Sequence, residues 1–284
     1  MKTTISLSLR DDQIEFLDKL YSAEHRTINL PYVMFRVDAN GCTITVYDSK
    51  KVVFAGKNAE EHAALFMHVE VEQSVFPQAG SDEVGTGDYF GPVVVAACRV
   101  KKEEYELLKS FNITDSKVMN DTHVRQVAPR IMELVAYSVL VVQDSKYNEV
   151  HRTHNMNAIK AILHNAAYLH LKKKIKILPK LTVVDQFAHE QLYYRYLEGE
   201  SEIVKGLTFE TKAESKYFAV ACASVIARYH FLQTFDAMKS EYAMEFPKGA
   251  SATVDAAARK FVETYGRTRL GEVVKLHFKN TNNL

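Results

Sequence analysis

An adjacent acidic pair, Asp82 and Glu83, lies in Gly80-Ser81-Asp82-Glu83-Val84-Gly85-Thr86-Gly87-Asp88-Tyr89-Phe90-Gly91-Pro92, directly before the apolar run Val93 to Ala97. Two more carboxylates could join it. Asp185 ends the apolar run Leu181 to Val184, and Glu214 stands in Thr211-Lys212-Ala213-Glu214-Ser215-Lys216, at the start of an apolar helix expected through Ala227. Each alone has a plain structural use, since a strand-end Asp caps turns and a first-turn Glu complements a helix dipole. Together they suit metal-assisted phosphoryl displacement, in which hard divalent cations with oxygen ligands clamp the attacking and leaving oxygens. With no Cys or His at metal-ligand spacing, such a set favours Mg²⁺ or Mn²⁺ over Zn²⁺. Neighbouring residues on an extended chain point to opposite faces, so a shared role for Asp82 and Glu83 requires a bend, a bulge or backbone participation, which the flanking glycines permit.

Gly85-Thr86-Gly87 lacks the Gly-Lys-Ser/Thr of a nucleotide-triphosphate loop. A small-residue loop beside carboxylates can instead let backbone groups approach a polynucleotide sugar, where the 2′-hydroxyl separates RNA from DNA. Asp115-Ser116-Lys117 reads locally as a polar turn before a helix at Asp121. Between Val150 and Val184 there is no Asp or Glu, but Arg152, Lys160, Lys172, Lys173, Lys174, Lys176 and Lys180 give a local +7. Such a block can follow phosphates, or can be the solvated basic end of a helix.

Whole-chain charge, +1, argues neither for nor against a polyanionic partner. Cys42, Cys98 and Cys222 are odd in number and far apart, which suggests neither a disulfide framework nor a thiolate zinc site and fits a reducing cytoplasm. No apolar run approaches the roughly 18 residues that suggest a membrane span, and no signal-like segment opens the chain, so a soluble, unexported protein is expected.

The elements that must position these residues divide near residue 70. Before it, Ile5, Leu7 and Leu9 alternate as a strand, Asp11 to Ser22 has helical spacing, and Tyr32 to Asp38, Cys42 to Tyr47 and Val52 to Ala55 read as strands. Asn40-Gly41 signals a hairpin between the first two of these, and Asn58 caps a helix expected to run to about Glu70. Val71 to Gly80 reads as a linker. Beyond it, apolar runs at Val93 to Val100, Val135 to Val142 and Leu181 to Val184 alternate with helical patterns at Lys102 to Ser110, Asp121 to Ala136 and Met156 to Lys174, predicting an α/β sheet with flanking helices. Asn280 to Leu284 is expected to fray.

The ordered motifs Gly80 to Pro92, Asp115-Ser116-Lys117, Val184-Asp185-Gln186-Phe187 and Lys212 to Lys216 leading into Ala221 to Arg228, with Phe246-Pro247-Lys248-Gly249-Ala250-Ser251 later, resemble the type 2 ribonucleases H. Within that group the sequence is most similar to the bacterial ribonuclease HIII subfamily. Gly85-Thr86-Gly87 and Lys212-Ala213-Glu214 replace the Gly-Arg-Gly and Lys-Ala-Asp typical of ribonuclease HII. The resemblance implies an endonuclease that cuts the RNA strand of RNA/DNA hybrids with two divalent ions and leaves 5′-phosphate ends. It also implies catalytic Asp82, Glu83, Asp185 and Glu214, with Asp82, Glu83 and Asp185 as metal ligands, and substrate contacts from Gly85, Thr86, Gly87, Lys117, Lys212 and Lys216. The implied fold is a ribonuclease H-like mixed α/β sheet with flanking helices over 71–284, preceded over 1–70 by a small α+β module resembling a TATA-box-binding protein that grips the hybrid. No obligate protein partner is indicated.

Residues 1–66 carry eight Lys and Arg against nine Asp and Glu, a net −1, so any grip there rests on particular residues such as Arg36, Lys50, Lys51 or Lys57 rather than on bulk charge. Two other readings stay open. One is a non-catalytic nucleic-acid-binding protein using the basic block and the first sheet. The other is a ribonuclease HII-like enzyme that incises duplex DNA at a single embedded ribonucleotide.

Overall fold

A computed structural model describes residues 3–9, 11–26, 30–66, 75–111, 113 and 119–284. They form two compact units, the first of the described residues up to 66 together with Met119, the second of the rest.

In the first unit, β1 (Thr3–Ser8), β2 (His25–Arg26), β3 (Val33–Ala39), β4 (Cys42–Tyr47) and β5 (Lys51–Gly56) form an antiparallel sheet in the order β1-β5-β4-β3-β2. Helices α1 (Asp11–Leu20) and α2 (Ala59–Ala64) accompany it. Alternation decides the faces: Cys42, Ile44 and Val46 are buried and pack with Val52, Phe54, Leu17 and Ala63, while Thr43, Thr45 and Tyr47 take the other face. Asn40 and Gly41 both adopt positive φ (36° and 77°), the two-residue turn that joins Ala39 to its partner Cys42. α2 ends at Ala64, and Leu65 and Phe66 form a turn, short of the helix expected to about Glu70; 67–70 of that helix and 71–74 of the expected linker lie outside the described residues.

The second unit is built on β6 (Gln78–Val84), β7 (Val93–Val100), β8 (Ala136–Val142), β9 (Leu181–Asp185) and β10 (Thr208–Glu210). The sheet order is β10-β9-β6-β7-β8, with β6, β9 and β10 parallel and the β6-β7 and β7-β8 pairs antiparallel. Helices α3 (Lys102–Leu108), α4 (Asp121–Leu134), α5 (Asp144–Val150), α6 (Met156–Ile175), α7 (Glu190–Tyr196), α8 (Phe218–Tyr242) and α9 (Ala252–Tyr265) surround it. On one face Ala79, Val95, Ala97 and Val184 pack with Ala161, Tyr168 and Leu171 of α6. On the other, Val183 packs with Ala213 and with Val220 of α8.

Three expectations need correction. The expected linker through Gly80 is already strand from Gln78, and Gly80 is there for contact: a Cβ on it would lie 2.3 Å from the Val220 nitrogen, so only glycine lets β6 lie against α8. The apolar helix does not start at Glu214. Ala213–Ser215 is a separate 3₁₀ turn, Lys212 ahead of it is left-handed (φ 53°), and α8 runs from Phe218 well past Ala227. Nor does the C-terminus fray, since Lys279–Asn283 forms a 3₁₀ turn and the buried Asn280 donates to Asp255 and, at 3.2 Å, to the Ala250 carbonyl.

Candidate active site

β6 and β9 run in parallel, and their shared ladder stops before β6 does. Their last ladder pair is Ser81 with Val184, and the next residue on each is Asp82 and Asp185. Because paired residues of a parallel ladder share a face, Asp82 and Asp185 lie on the α8 side, the side of Gly80 and Val183. Asp82 is 2% exposed, and its Oδ1 accepts from the Glu83 N–H at 2.7 Å. Asp185 is half-buried and accepts at Oδ1 from the Ala213 N–H at 3.0 Å, which ties the 3₁₀ turn bearing Glu214 to the end of β9. Glu214 itself is buried. The strand ladder thus brings two aspartates together, and one backbone hydrogen bond brings the turn of the third carboxylate beside them.

Glu83 goes elsewhere. The β6-β7 register is continuous through Asp82–Ala96 and Glu83–Val95, so the expected bend or bulge is absent and the two carboxylates point to opposite faces. On the α6 side, Glu83 Oε1 lies 2.5 Å from Lys160 Nζ, and Oε2 accepts from His164 Nε2 at 2.9 Å. With Nε2–H donated to the carboxylate, His164 accepts the Ser81 hydroxyl at Nδ1, 2.7 Å away. Phe187, just beyond Asp185, covers both partners of Glu83: Lys160 Nζ is 4.1 Å from its ring centroid and the His164 ring stacks at 5.5 Å. Burial pushes the Glu83 carboxyl up, but the hydrogen bond from His164 and the charge and hydrogen bond of Lys160 outweigh it and hold the group well below the usual carboxylate range.

The sequence counted Lys160 and His164 only within a basic block, and missed both. The available signal was their i,i+4 spacing, which places them on one helix face. That block does not act as one phosphate track. Lys160 is buried against Glu83, while at the far end of α6 Lys172 pairs with Glu202 at 3.0 Å and Lys174 donates to the Tyr137 carbonyl at 2.6 Å.

The Gly85–Gly87 loop turns β6 into the approach to β7. Gly85 has φ +92°, and a Cβ there would lie 2.0 Å from the Pro92 carbonyl oxygen; Thr86 is half-buried and Gly87 opens to solvent with nothing around its Cβ position. The chain after it is clamped. Asp88 accepts from the Gly249 N–H at 2.6 Å, Tyr89 N–H donates to the Gly249 carbonyl at 2.9 Å, and the buried Lys275 donates to the carbonyls of Asp88 and Gly91. Lys275 lies 3.7 Å from the equally buried Asp144; burial pushes the Lys275 amine down and the Asp144 carboxyl up. The later motif Phe246–Ser251 therefore braces the loop, and its Lys248 pairs with Asp121 at 2.6 Å.

Of the remaining candidates, Lys212 is exposed beside the site, and Lys216 is exposed but ion-paired with Glu210. Lys117, with Asp115 and Ser116, lies outside the described residues. In the first unit Arg36 stands on the sheet face opposite the core, Lys51 and Lys57 are exposed, and Lys50 pairs with Asp11 at 2.8 Å.

Asp82, Asp185 and Glu214 offer only carboxylate oxygen, a donor set that fits Mg²⁺ or Mn²⁺ and not the softer zinc ligation. Among the described residues, no three Asp, Glu, His or Cys side chains are gathered closely enough to hold a metal as they stand, so a cation would have to draw these carboxylates together. No helix among the described residues is long and apolar enough to cross a membrane.

Two family models match successive parts of the chain. Residues 79–281 match the Ribonuclease HII family, and residues 4–75 match a domain of unknown function, DUF3378. The sequence is 42% identical over 260 residues to Ribonuclease HIII of Geobacillus sp. (strain WCH70), covering 87% of this chain and 86% of that protein. It is 41% identical over 270 residues to Ribonuclease HIII of Listeria monocytogenes serotype 4b (strain CLIP80459), covering 88% of each. Among solved structures, Bst-RNase HIII in complex with Mn²⁺ superposes with a TM-score of 0.72 at 33% identity, covering 99% of this chain and 97% of that one. Aquifex aeolicus RNase H3 does so with a TM-score of 0.58 at 25% identity, covering 97% and 100%.

Proposed function

The chain belongs to the ribonuclease HII family, on its ribonuclease HIII branch, and on that premise we propose that it hydrolyses the RNA strand of RNA/DNA hybrids, leaving 5′-phosphate ends. It is a divalent-metal-dependent ribonuclease H. The observation that carries the site assignment is the placement of Asp82 and Asp185 directly after the last pair of the parallel β6-β9 ladder, with the Glu214 turn bonded to Asp185.

In this reading Asp82, Asp185, Glu214 and Glu83 would hold the Mg²⁺ or Mn²⁺ ions, Glu83 by leaving its Lys160 and His164 partners. Bound there, the ions supply an activated water and charge stabilisation for the leaving 3′-oxygen. The protein's own contribution is placement. The Gly85-Thr86-Gly87 backbone, braced by Gly249 and Lys275, approaches the 2′-hydroxyl and so selects RNA at the cleaved strand. Lys212, Lys216 and Lys117 meet phosphates, Lys216 by exchanging its Glu210 partner for the polyanion. Residues 1–70 hold the hybrid and residues 71–284 cut it. The free, buried cysteines fit a cytoplasmic enzyme.

The test is a side-by-side assay of RNA/DNA hybrid, DNA duplex with one embedded ribonucleotide, double-stranded RNA and double-stranded DNA, each with Mg²⁺ and Mn²⁺. Rapid cleavage of the hybrid alone is expected. Equal rates on the single-ribonucleotide duplex would move the chain to a ribonuclease HII-like specificity, and chelator-insensitive binding with no cleavage would mean a binding protein.

A further inference from the structure

A buried cation already occupies the neighbourhood of the carboxylates. Lys160 and Glu83 side chains are only 10% and 11% exposed and His164 is fully buried, so the group is a built cluster rather than a surface ion pair. Both Glu83 oxygens are taken, one by each α6 side chain, while Phe187 seals the cluster from the side of β9. Glu83 directly follows Asp82, so the Lys160 ammonium of α6 is paired with the residue next to the aspartate read as the first metal ligand.

We propose that Lys160 is a positioning residue that stands in for a metal ion at Glu83, holding that carboxylate on the α6 side and setting how tightly the site takes up divalent cation. The inference rests on the metal-site reading above. Its physical basis is competition of like charges. While Lys160 neutralises Glu83, an incoming divalent ion meets one carboxylate fewer and one positive charge more. Removing the ammonium returns a carboxylate and lifts a repulsion, so affinity for the metal must rise even though Glu83 loses its orientation for catalysis. His164 supports the arrangement from the second oxygen and, through Ser81, fixes it to β6 itself.

The experiment is Mn²⁺ titration of the full chain by calorimetry, together with the Mn²⁺-induced rise in Tm and with kcat, for wild type, Lys160→Met, Lys160→Arg and Asp82→Asn. Lys160→Met is expected to bind Mn²⁺ roughly tenfold more tightly, as loss of one nearby unit charge at a partly buried site implies. It should also show a larger Mn²⁺-induced rise in Tm than wild type, because metal then replaces the missing cation, and a lower kcat. Lys160→Arg should keep wild-type affinity. If Lys160→Met fails to fold, Phe187→Ala exposes the ammonium to water without removing it and should shift affinity in the same direction by a smaller factor. Unchanged or weakened Mn²⁺ binding in Lys160→Met, or in Phe187→Ala where that variant replaces it, overturns the proposal. Asp82→Asn separates this from the underlying reading: if it binds Mn²⁺ like wild type, the metal-site assignment itself is wrong.

Discussion

His164 donates from Nε2 to Glu83 at 2.9 Å while its other nitrogen receives Ser81, so one α6 side chain links two residues on the same face of β6. The carboxylate is therefore held ionised by the fold. Its pKa, ordinarily 4.5, falls to about 2. A carboxyl depressed on folding stabilises the protein above its unfolded pKa and loses that contribution as pH falls toward its folded one. The Tm advantage of wild type over Glu83→Gln should accordingly shrink as pH drops from about 5 toward about 2. A constant difference across that window would show that Glu83 gains nothing from its charge.

Asp82→Asn keeps the shape of the buried side chain and its acceptor toward the Glu83 N–H, while removing the charge. Hybrid cleavage in Mg²⁺ should fall by roughly 10³-fold or more, since metal-borne charge stabilisation is worth several kcal/mol. The Tm should stay within a few degrees of wild type, measured on the same preparation.

Gly80→Ala tests the approach of β6 to α8. The new methyl would meet the Val220 nitrogen at 2.3 Å and the Ala219 carbonyl carbon at 2.6 Å, both backbone atoms that cannot rotate away. A loss of about 3 kcal/mol of stability is expected from such overpacking, seen as a lower denaturant midpoint. Activity should fall as well, because Asp82 stands two residues further along the displaced strand.

Lys275→Met removes the donor that holds the Asp88 and Gly91 carbonyls and leaves Asp144 buried without its partner. The cost should be about 3–5 kcal/mol. Lys275→Met with Asp144→Asn should recover part of it in a double-mutant cycle, while KM for hybrid stays raised in both because the loop brace is gone.

Much of this was legible in the sequence because it follows from local rules. Asn40-Gly41 allowed one hairpin, the alternation from Cys42 to Tyr47 one core face, and the position of Asp185 after four apolar residues one strand end. What escaped depended on tertiary contact. Gly80 looked like a linker residue because its reason, the backbone of α8, lies 140 residues away along the chain. Lys160 looked like a phosphate-binding lysine because nothing near it in sequence is acidic, and its partner is on β6. The bend or bulge expected at Glu83 failed for a related reason: flanking glycines permit a bend, but a continuous ladder with β7 does not require one.

The alternation of β6 also limits how such a chain can change by descent. Asp82 and Glu83 differ in surroundings only because one is even and the other odd along the same ladder. A single-residue deletion or insertion between Gln78 and Asp82 would exchange their faces, turning the α8 side toward Glu83 and leaving Lys160 and His164 opposite an aspartate too short to reach both. Length variation among relatives should therefore be excluded from this strand and tolerated at the open tip of the following loop, where a side chain on Gly87 would point into open space.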